Sequence, residues 1–441
     1  MLKLAMSLKI HTPKDLQDLK NIILSGEPFL LAGAKTSTVI PFDKVIDGFE
    51  GIEFIVDISC LEKKIVLLDN SQVEVTGPVS WEELRVFLHK NAREVGCWPT
   101  DQSAFVLSGL ATSATGERCY SRGTIRSHTQ SLRYLDHMGN HQSLSSNKKL
   151  PSWLSHYQRC YENYEVYKNA PFPRLKFETD LMIGTEGQLG VITSAVLKTF
   201  ELKKTTFVLL PVESWLKSFE FIDILKWARG LPNLLSLEFF DQRCISLCKQ
   251  EGFEKGRDYI VFEVEEDMLE SFVESLIEYR PETDLGKLLV LDEKKFFEFR
   301  VAIPRGVNEF ISHNRLVKKG TDAQVKIEDF QALIEHYRSM TTHEIDFVLF
   351  GHLGDCHLHF NYLPRAEQIE LCDQILEEYY DKLFELKGSP FAEHGIGIIK
   401  KKYITRFYQP EVIETFKRLK SEMDPKGIFF PIGFMGVDEL E

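Results

Sequence analysis

Phe350-Gly-His-Leu-Gly-Asp-Cys-His-Leu-His-Phe-Asn361 is the stretch on which the reading of this chain turns. Ile345 to Phe350 is an apolar, strand-forming run that enters a glycine-rich turn at Gly351 and Gly354. Polar and apolar residues then alternate. Successive side chains of a strand point to opposite faces, so His357, His359 and Asn361 share one face while Leu358 and Phe360 enter the core. His352 and Asp355 lie in the turn before them. Three imidazoles within eight residues supply half of a metal-ligand set. The competing reading is a row of polar side chains meeting solvent. The glycines count against it, because a tightly bent turn positions groups.

A second piece is Ala392-Glu-His-Gly-Ile-Gly397. Glu393 and His394 are adjacent and diverge, so they can serve different partners. One carboxylate with His352 and His359 would complete a two-His, one-carboxylate set with open positions. His394 would then be available as a proton acceptor near neutral pH. An acidic residue at a helix N-terminus would explain Glu393 equally well. A third piece is electrostatic. Residues 294–326 carry Lys294, Lys295, Arg300, Arg305, Arg315, Lys318, Lys319 and Lys326 against Glu298, Glu309 and Asp322, 8 − 3 = +5 in a chain of net charge −13. A basic island in an acidic protein suggests an anionic ligand; a solvated basic helix is the alternative.

Around these pieces the chain alternates strands and helices. Pro13–Ser25 has helical spacing of Leu16, Leu19, Ile22 and Ile23, and Phe54–Ile58, Lys64–Asp69 and Gln72–Thr76 read as strands. Ser80-Trp-Glu-Glu83 is a capping box. Two places are rich in small residues: Ser108–Gly116 and Gly184-Thr-Glu-Gly-Gln-Leu-Gly190, the latter running into a strand at Val191–Phe200. From residue 205 the order is strand, helix, strand, helix: Thr206–Pro211, Trp215–Arg229, Leu234–Phe240, Gln242–Gln250, Tyr259–Val264, a helix from Asp267, and Leu288–Leu291. This predicts a separate α+β domain. Residues 141–178 read as a partly helical surface insertion.

The 441 residues exceed what one core usually holds, and 43% hydrophobic with 27% charged residues is globular rather than disordered composition. An acidic chain of pI about 5.6 speaks against nucleic acid as a partner. No apolar run is long enough to cross a bilayer, and the first twenty residues turn polar too early for a secretory signal. The eight cysteines are scattered with no CxxC pair, which fits free thiols in a reducing compartment and excludes a closely spaced iron–sulfur motif. The expected location is therefore cytoplasmic, with peripheral attachment at the inner face of a membrane also compatible.

Taken together, these residues resemble the FAD-linked oxidoreductases of the vanillyl-alcohol-oxidase type, with a PCMH-type FAD-binding domain, in the branch of D-lactate, D-2-hydroxyglutarate and glycolate dehydrogenases. Gly184–Thr193 looks like the family's G-S-E-G-T-L-G-I-I-T. Ser108–Gly116 followed by Ser121-Arg-Gly-Thr-Ile-Arg126 looks like its small-residue loop and R-Y-G-T-x-R. Phe350–Asn361 looks like G-H-x-G-D-G-N-x-H-x-N, and AEHGIG and Asp424-Pro-Lys-Gly-Ile-Phe-Phe-Pro431 match its closing motifs. The resemblance implies an α+β fold: a two-part FAD-binding domain over residues 1–203, a cap domain with an antiparallel sheet over 204–385, and C-terminal helices over 386–441 returning to the FAD domain.

It also implies roles. FAD, held noncovalently, would contact Gly33, Ala34, Lys35, Thr36, Ser37, Ser108, Gly109, Thr112, Ser113, Gly116, Gly123, Thr124, Glu186, Gly187, Gly190, Val191 and Ile192. His352, His359 and Glu393 would hold a divalent metal, zinc, iron or manganese. His394 would be the base, Arg300 would bind the substrate carboxylate, and Asn361, His357 and Lys319 would complete the catalytic set. The chain departs from the pattern where Ala32-Gly-Ala-Lys-Thr-Ser37 stands for R-G-G-G-T-S, keeping Gly33 alone among the glycines. It departs again at His357, an extra imidazole. The expected activity is FAD-dependent oxidation of a small anionic D-2-hydroxy acid, with electrons leaving to a separate quinone, cytochrome or electron-transfer flavoprotein; a homodimer is compatible. A non-catalytic flavoprotein subunit is the alternative, and a metal hydrolase would leave the FAD-like loops unexplained.

Overall fold

The computed structural model describes residues 8–42, 52–150, 152–154, 176–248 and 250–436. The fold is α+β, and the chain forms two compact units. One comprises Met1–Gly116, Gly123–Leu202 and Glu393–Glu441; the other comprises Glu117–Arg122 and Lys203–Ala392. The changes of unit thus fall at 202/203 and 392/393, with the short piece 117–122 joining the second unit.

In the first unit, β1 (Lys9–His11), β2 (Phe29–Ala32) and β3 (Phe54–Asp57) make a parallel sheet in the order β1-β3-β2. The helix Leu16–Ser25 starts at Asp15, whose carboxylate accepts from the Gln17 and Asp18 amides. Its Leu19 and Ile23 pack with Phe29, Phe54 and Val56, as the spacing predicts. A second, antiparallel sheet contains β4 (Lys64–Asp69), β5 (Gln72–Thr76), β7 (Thr129–Leu135), β8 (His141–Ser145) and β9 (Val191–Glu201) in the order β4-β5-β9-β7-β8, with β6 (Arg93–Val95) on β9. The Ser80 capping box is formed: Ser80 Oγ accepts from Glu83 N at 3.1 Å and Glu83 Oε2 accepts from Ser80 N at 3.0 Å. The C-terminal segment belongs to this unit through a parallel bridge between Phe29 and Phe429.

The expected surface insertion is corrected at its start. His141–Ser145 is an edge strand paired with β7. Its exposed side chains make it look like loop, because an edge strand with little burial carries no apolar alternation. Residues 155–175 lie outside the described part.

The second unit is built on a seven-stranded antiparallel sheet. Its strands are β10 (Thr205–Val212), β11 (Leu234–Phe240), β12 (Asp258–Glu265), β13 (Leu289–Asp292), β14 (Lys319–Gly320), β15 (Phe347–His352) and β16 (His357–Tyr362), ordered β13-β10-β12-β11-β15-β16-β14. The helices Gln242–Cys248 and Glu293–Asn314 contribute to a phenylalanine-rich core with Phe207, Phe240, Phe296, Phe299 and Phe350. Each such ring contributes about 1.5–3 kcal/mol by leaving water. The first predicted helix of this unit starts later than its apolar pattern suggests, at Glu220.

The helix Glu293–Asn314 is capped by Asp292, which accepts from Lys295 N at 2.8 Å. It contains Pro304. Proline has no N–H, so the helical bond that position 304 would give to the carbonyl of Arg300 cannot form. Among the described residues no helix is long and apolar enough to cross a membrane.

Candidate functional site

Strands β11, β15 and β16 of the second unit carry the buried polar residues Glu238, His352, His357, His359 and Asn361. His352 ends strand β15 instead of lying in the turn, and Leu353–Asp355 form a single 3-10 turn before β16. The β15–β16 register sets His352 opposite His357, Phe350 opposite His359 and Val348 opposite Asn361. The alternation read from sequence therefore holds. The solvated-face alternative does not, since His352, His357, His359 and Asn361 are 2%, 0%, 7% and 2% exposed. The rings of His357 and His359 are 4.5 Å apart, and those of His352 and His359 are 6.4 Å apart.

Each of these groups has a polar neighbour. His352 Nδ1 lies 2.8 Å from Glu238 Oε1, one register step beyond the Phe239–Gly351 pair. His357 Nε2 lies 3.1 Å from Asp322 Oδ1, and His359 Nδ1 lies 3.4 Å from the Thr321 carbonyl. Asn361 Nδ2 donates to the His359 carbonyl at 3.2 Å. Burial pushes Glu238 above the usual carboxylate range. The His352 imidazole opposes that shift, the Glu117 charge adds to it and Arg300 opposes it.

Arg300 is part of the same network. Of the eight basic residues in 294–326 it alone is buried; six are exposed and Lys319 is half-buried. The basic island is thus mostly a solvated surface with one cation inside. Arg300 Nε donates to Glu117 Oε1 at 3.1 Å, and Glu117, Glu238 and His352 bring ligand-type atoms within 4.8 Å of one another. The Arg300 guanidinium offsets the Glu117 charge, and His352 pairs with Glu238. Lys319, at the sheet edge on β14, pairs with Asp373.

Sequence reading assigned no site role to Glu117, Glu238 or Asp322. Glu238 carried a signal: it is a lone acid in the apolar strand Leu234–Phe240, and a buried acid requires a partner. Asp322 and Glu117 carried none beyond adjacency to motifs.

In the first unit the two small-residue loops come together through their backbones. Gly184 N donates to the Leu110 carbonyl at 3.0 Å and Glu186 N to the Ala111 carbonyl at 2.7 Å. Arg126, from the segment that also carries Gly123 and Thr124, pairs with Asp180 and donates to the Ile183 carbonyl at 3.0 Å. Ser108, Gly109 and Thr112 lie in or at the end of the short helix Val106–Ala111. Ser113 and Glu186 both adopt positive φ, 54° and 55°. Gly187 and Gly190 lead into β9, which starts with Val191 and Ile192.

Ala32 ends β2, and Gly33 faces Ser108: a Cβ at position 33 would lie 2.5 Å from Ser108 Oγ. Ser37 Oγ accepts from Ile40 N at 3.2 Å. Lys35, which the resemblance sets at a glycine position, adopts φ 60°. Its ammonium meets Asp57 Oδ2 at 2.6 Å. Burial pushes Asp57 up, but the hydrogen bond from Lys35 and those from Ser59 outweigh it, so the carboxyl lies below its ordinary value.

These loops fit a cofactor on an observation of their own. Thr115 Oγ1 and Gln188 Nε2 are buried polar atoms with no hydrogen-bond partner among the described residues, and a ligand bearing polar groups would satisfy them. Glu186 behaves differently from the other predicted contacts. Its carboxylate accepts from the Ile396 and Gly397 amides. Glu393 and His394, half-buried, precede those amides in the same unit.

Comparison with known proteins agrees with this architecture. Residues 203–432 match the family described as FAD linked oxidases, C-terminal domain. A mitochondrial D-lactate dehydrogenase [cytochrome] of Kluyveromyces lactis is 23% identical over 410 residues, covering 87% of this chain and 66% of its own length. A D-2-hydroxyglutarate dehydrogenase of Xanthomonas citri pv. viticola is 26% identical over 369 residues, covering 78% of this chain and 72% of its own. The chain thus spans about two thirds of the length of these relatives. The solved structure of alkyldihydroxyacetonephosphate synthase superposes with a TM-score of 0.64 at 15% identity, over 95% of this chain and 75% of the other, which establishes the shared fold. The matched segment covers the whole seven-stranded sheet and the histidine strands, and on that basis the chain belongs to the family of FAD-linked oxidases with this C-terminal domain.

Proposed function

We propose that this protein is an FAD-dependent dehydrogenase that oxidises a small D-2-hydroxy acid to the 2-oxo acid. The observation that carries the reading is the buried set His352, His357, His359 and Arg300, four nitrogen-rich side chains in the family-matched unit, each at most 7% exposed. Burying so many basic groups costs stability unless anionic partners or ligands compensate. Names of the relatives point to 2-hydroxy acids as their substrates.

Arg300 supplies the cation for the substrate carboxylate, its guanidinium oriented by Glu117. His357, steadied by Asp322, and Asn361 are the candidates for further substrate contacts. His394 takes the hydroxyl proton, a role that comes from its motif. Lys319, engaged by Asp373, is the weakest member of the expected set. FAD, when bound, supplies the two-electron acceptor, and the electrons then pass to a separate carrier.

His352 and His359 are the proposed imidazole ligands of a divalent ion, with Glu393 as the carboxylate by motif. Such a nitrogen and oxygen donor set suits zinc, ferrous iron or manganese, and a bound ion would acidify the substrate hydroxyl. With Nδ1–H donating to Glu238, the His352 lone pair lies on Nε2, the atom that would ligate.

Lys35 in the phosphate loop favours a second reading, a flavoprotein subunit without its own turnover, because glycine is the residue that normally permits close phosphate approach there. Steady-state oxidation of D- and L-lactate, D-2-hydroxyglutarate and glycolate with an artificial electron acceptor separates the two. Formation of the 2-oxo acid from one enantiomer supports the dehydrogenase. Tightly bound FAD with no product from any acid supports the subunit.

A further inference from the structure

We propose that Glu186 is a positioning residue: it anchors the turn that follows Glu393 and His394, and it does so in place of a cofactor contact. Glu186 is 9% exposed and sits in the left-handed region, φ 55°. Its Oε1 accepts from Ile396 N at 2.6 Å and Gly397 N at 3.1 Å, and its Oε2 accepts from Gly397 N at 2.9 Å. Both oxygens of one buried carboxylate are therefore engaged by two successive amides.

The turn is shaped to receive it. Gly395 has φ 82°, and a Cβ there would lie 2.6 Å from Glu186 Oε1, so both the conformation and the space require glycine. The chain then continues onto the loop after β2, where Ile398 N and Ile399 N donate to the Val39 carbonyl at 3.0 and 3.2 Å. At its other end, Glu186 N is held by the Ala111 carbonyl. One residue thus ties the small-residue loop at 108–116 to the segment carrying Glu393 and His394, all within the first unit.

Charge supports the assignment. A carboxylate directed at the diphosphate of FAD would repel it, whereas backbone amides are the partners that stabilise a buried anion. Burial pushes Glu186 up to about 7 against the pull of the Ile396 and Gly397 amides. The consequence for turnover rests on the role given to His394 above; the anchoring itself does not.

The test uses the full, FAD-loaded chain and compares Glu186→Gln, Glu186→Ala and Gly395→Ala with the wild type. Site-resolved amide exchange is the first readout. Glu186→Ala should speed exchange at Ile396 and Gly397 about tenfold or more, and Glu186→Gln, which keeps one accepting oxygen, should fall between. Gly395→Ala should loosen the same amides with Glu186 intact. FAD content should stay at the wild-type level in all three. The rate of flavin reduction by the acid should fall, with the apparent substrate affinity changing less. Loss of FAD with unchanged exchange at 396–397 would make Glu186 a cofactor contact and overturn the proposal. Uniformly faster exchange across the whole first unit would overturn it too, because that marks general destabilisation. Should the wild type itself not be reduced by any acid, the dehydrogenase reading falls, and the exchange data still decide the anchor.

Discussion

Glu238 and His352 face each other across β11 and β15, 2.8 Å apart and each 2% exposed. A carboxylate on one imidazole nitrogen fixes ring orientation and tautomer, and this raises the basicity of the other nitrogen. Glu238→Gln keeps the shape and removes the charge. It should weaken binding of a divalent ion about 10- to 100-fold, with FAD content unchanged. Metal titration with the elemental content of the purified protein checks this; equal affinity in the variant would reduce Glu238 to a packing residue.

Arg300 and Glu117 make a similar pair at 3.1 Å, both largely buried. Arg300→Ala should cost about 3–5 kcal/mol of stability, because it removes one partner of a buried ion pair. Adding Glu117→Gln should return about 1–3 kcal/mol of that loss. Denaturant unfolding of the four-member cycle measures it. In the folded double variant, activity should remain low, since the cation proposed for the substrate carboxylate is gone; recovery of activity would place that cation elsewhere.

Lys35 occupies a left-handed backbone position that costs a non-glycine residue about 1–2 kcal/mol. Against this stands its partly exposed pair with Asp57, worth about 1 kcal/mol or less. Lys35→Gly should therefore leave stability nearly unchanged and FAD affinity equal or higher, measured by equilibrium titration of the apoprotein. A large loss of FAD affinity would mean that the ammonium serves the cofactor and not Asp57.

Glu186 gives a pH signature. Its folded value is raised to about 7, above the unfolded value of an ordinary carboxyl. The folded state then holds the proton more tightly, so the stability from this group is fully present below the unfolded pKa and is lost as pH rises through about 7. Between pH 5 and 8 the wild type should lose melting temperature relative to Glu186→Gln. A difference independent of pH would show that Glu186 does not titrate in this window.

How far the residues alone carried this description depends on whether the information is local. Six strands of the seven-stranded sheet were legible to within about two residues, as at Leu234–Phe240, whose burial makes it a continuous apolar run, whereas the two-residue strand Lys319–Gly320 was not. The shared face of His357, His359 and Asn361 followed from period-two geometry. Partners from distant segments were not legible. Nothing near Arg300 announces Glu117, separated by 183 residues, and nothing in the Gly184–Gly190 loop announces that Glu186 turns to the amides of Ile396 and Gly397. Strand β8 was missed for the opposite reason: its pairing is local, but it buries too little to leave an apolar pattern.

The central claim is that this chain oxidises a D-2-hydroxy acid through bound FAD, and anaerobic reduction of the purified flavoprotein tests it most directly. The oxidised flavin spectrum is followed while D- and L-lactate, D-2-hydroxyglutarate and glycolate are added in turn, with dithionite as the control for reducibility. The account predicts that one D-acid, or the achiral glycolate, bleaches the flavin in a single turnover, that L-lactate does not, and that His394→Ala slows the bleaching while leaving FAD bound. A flavin that dithionite reduces but none of these acids does would contradict it.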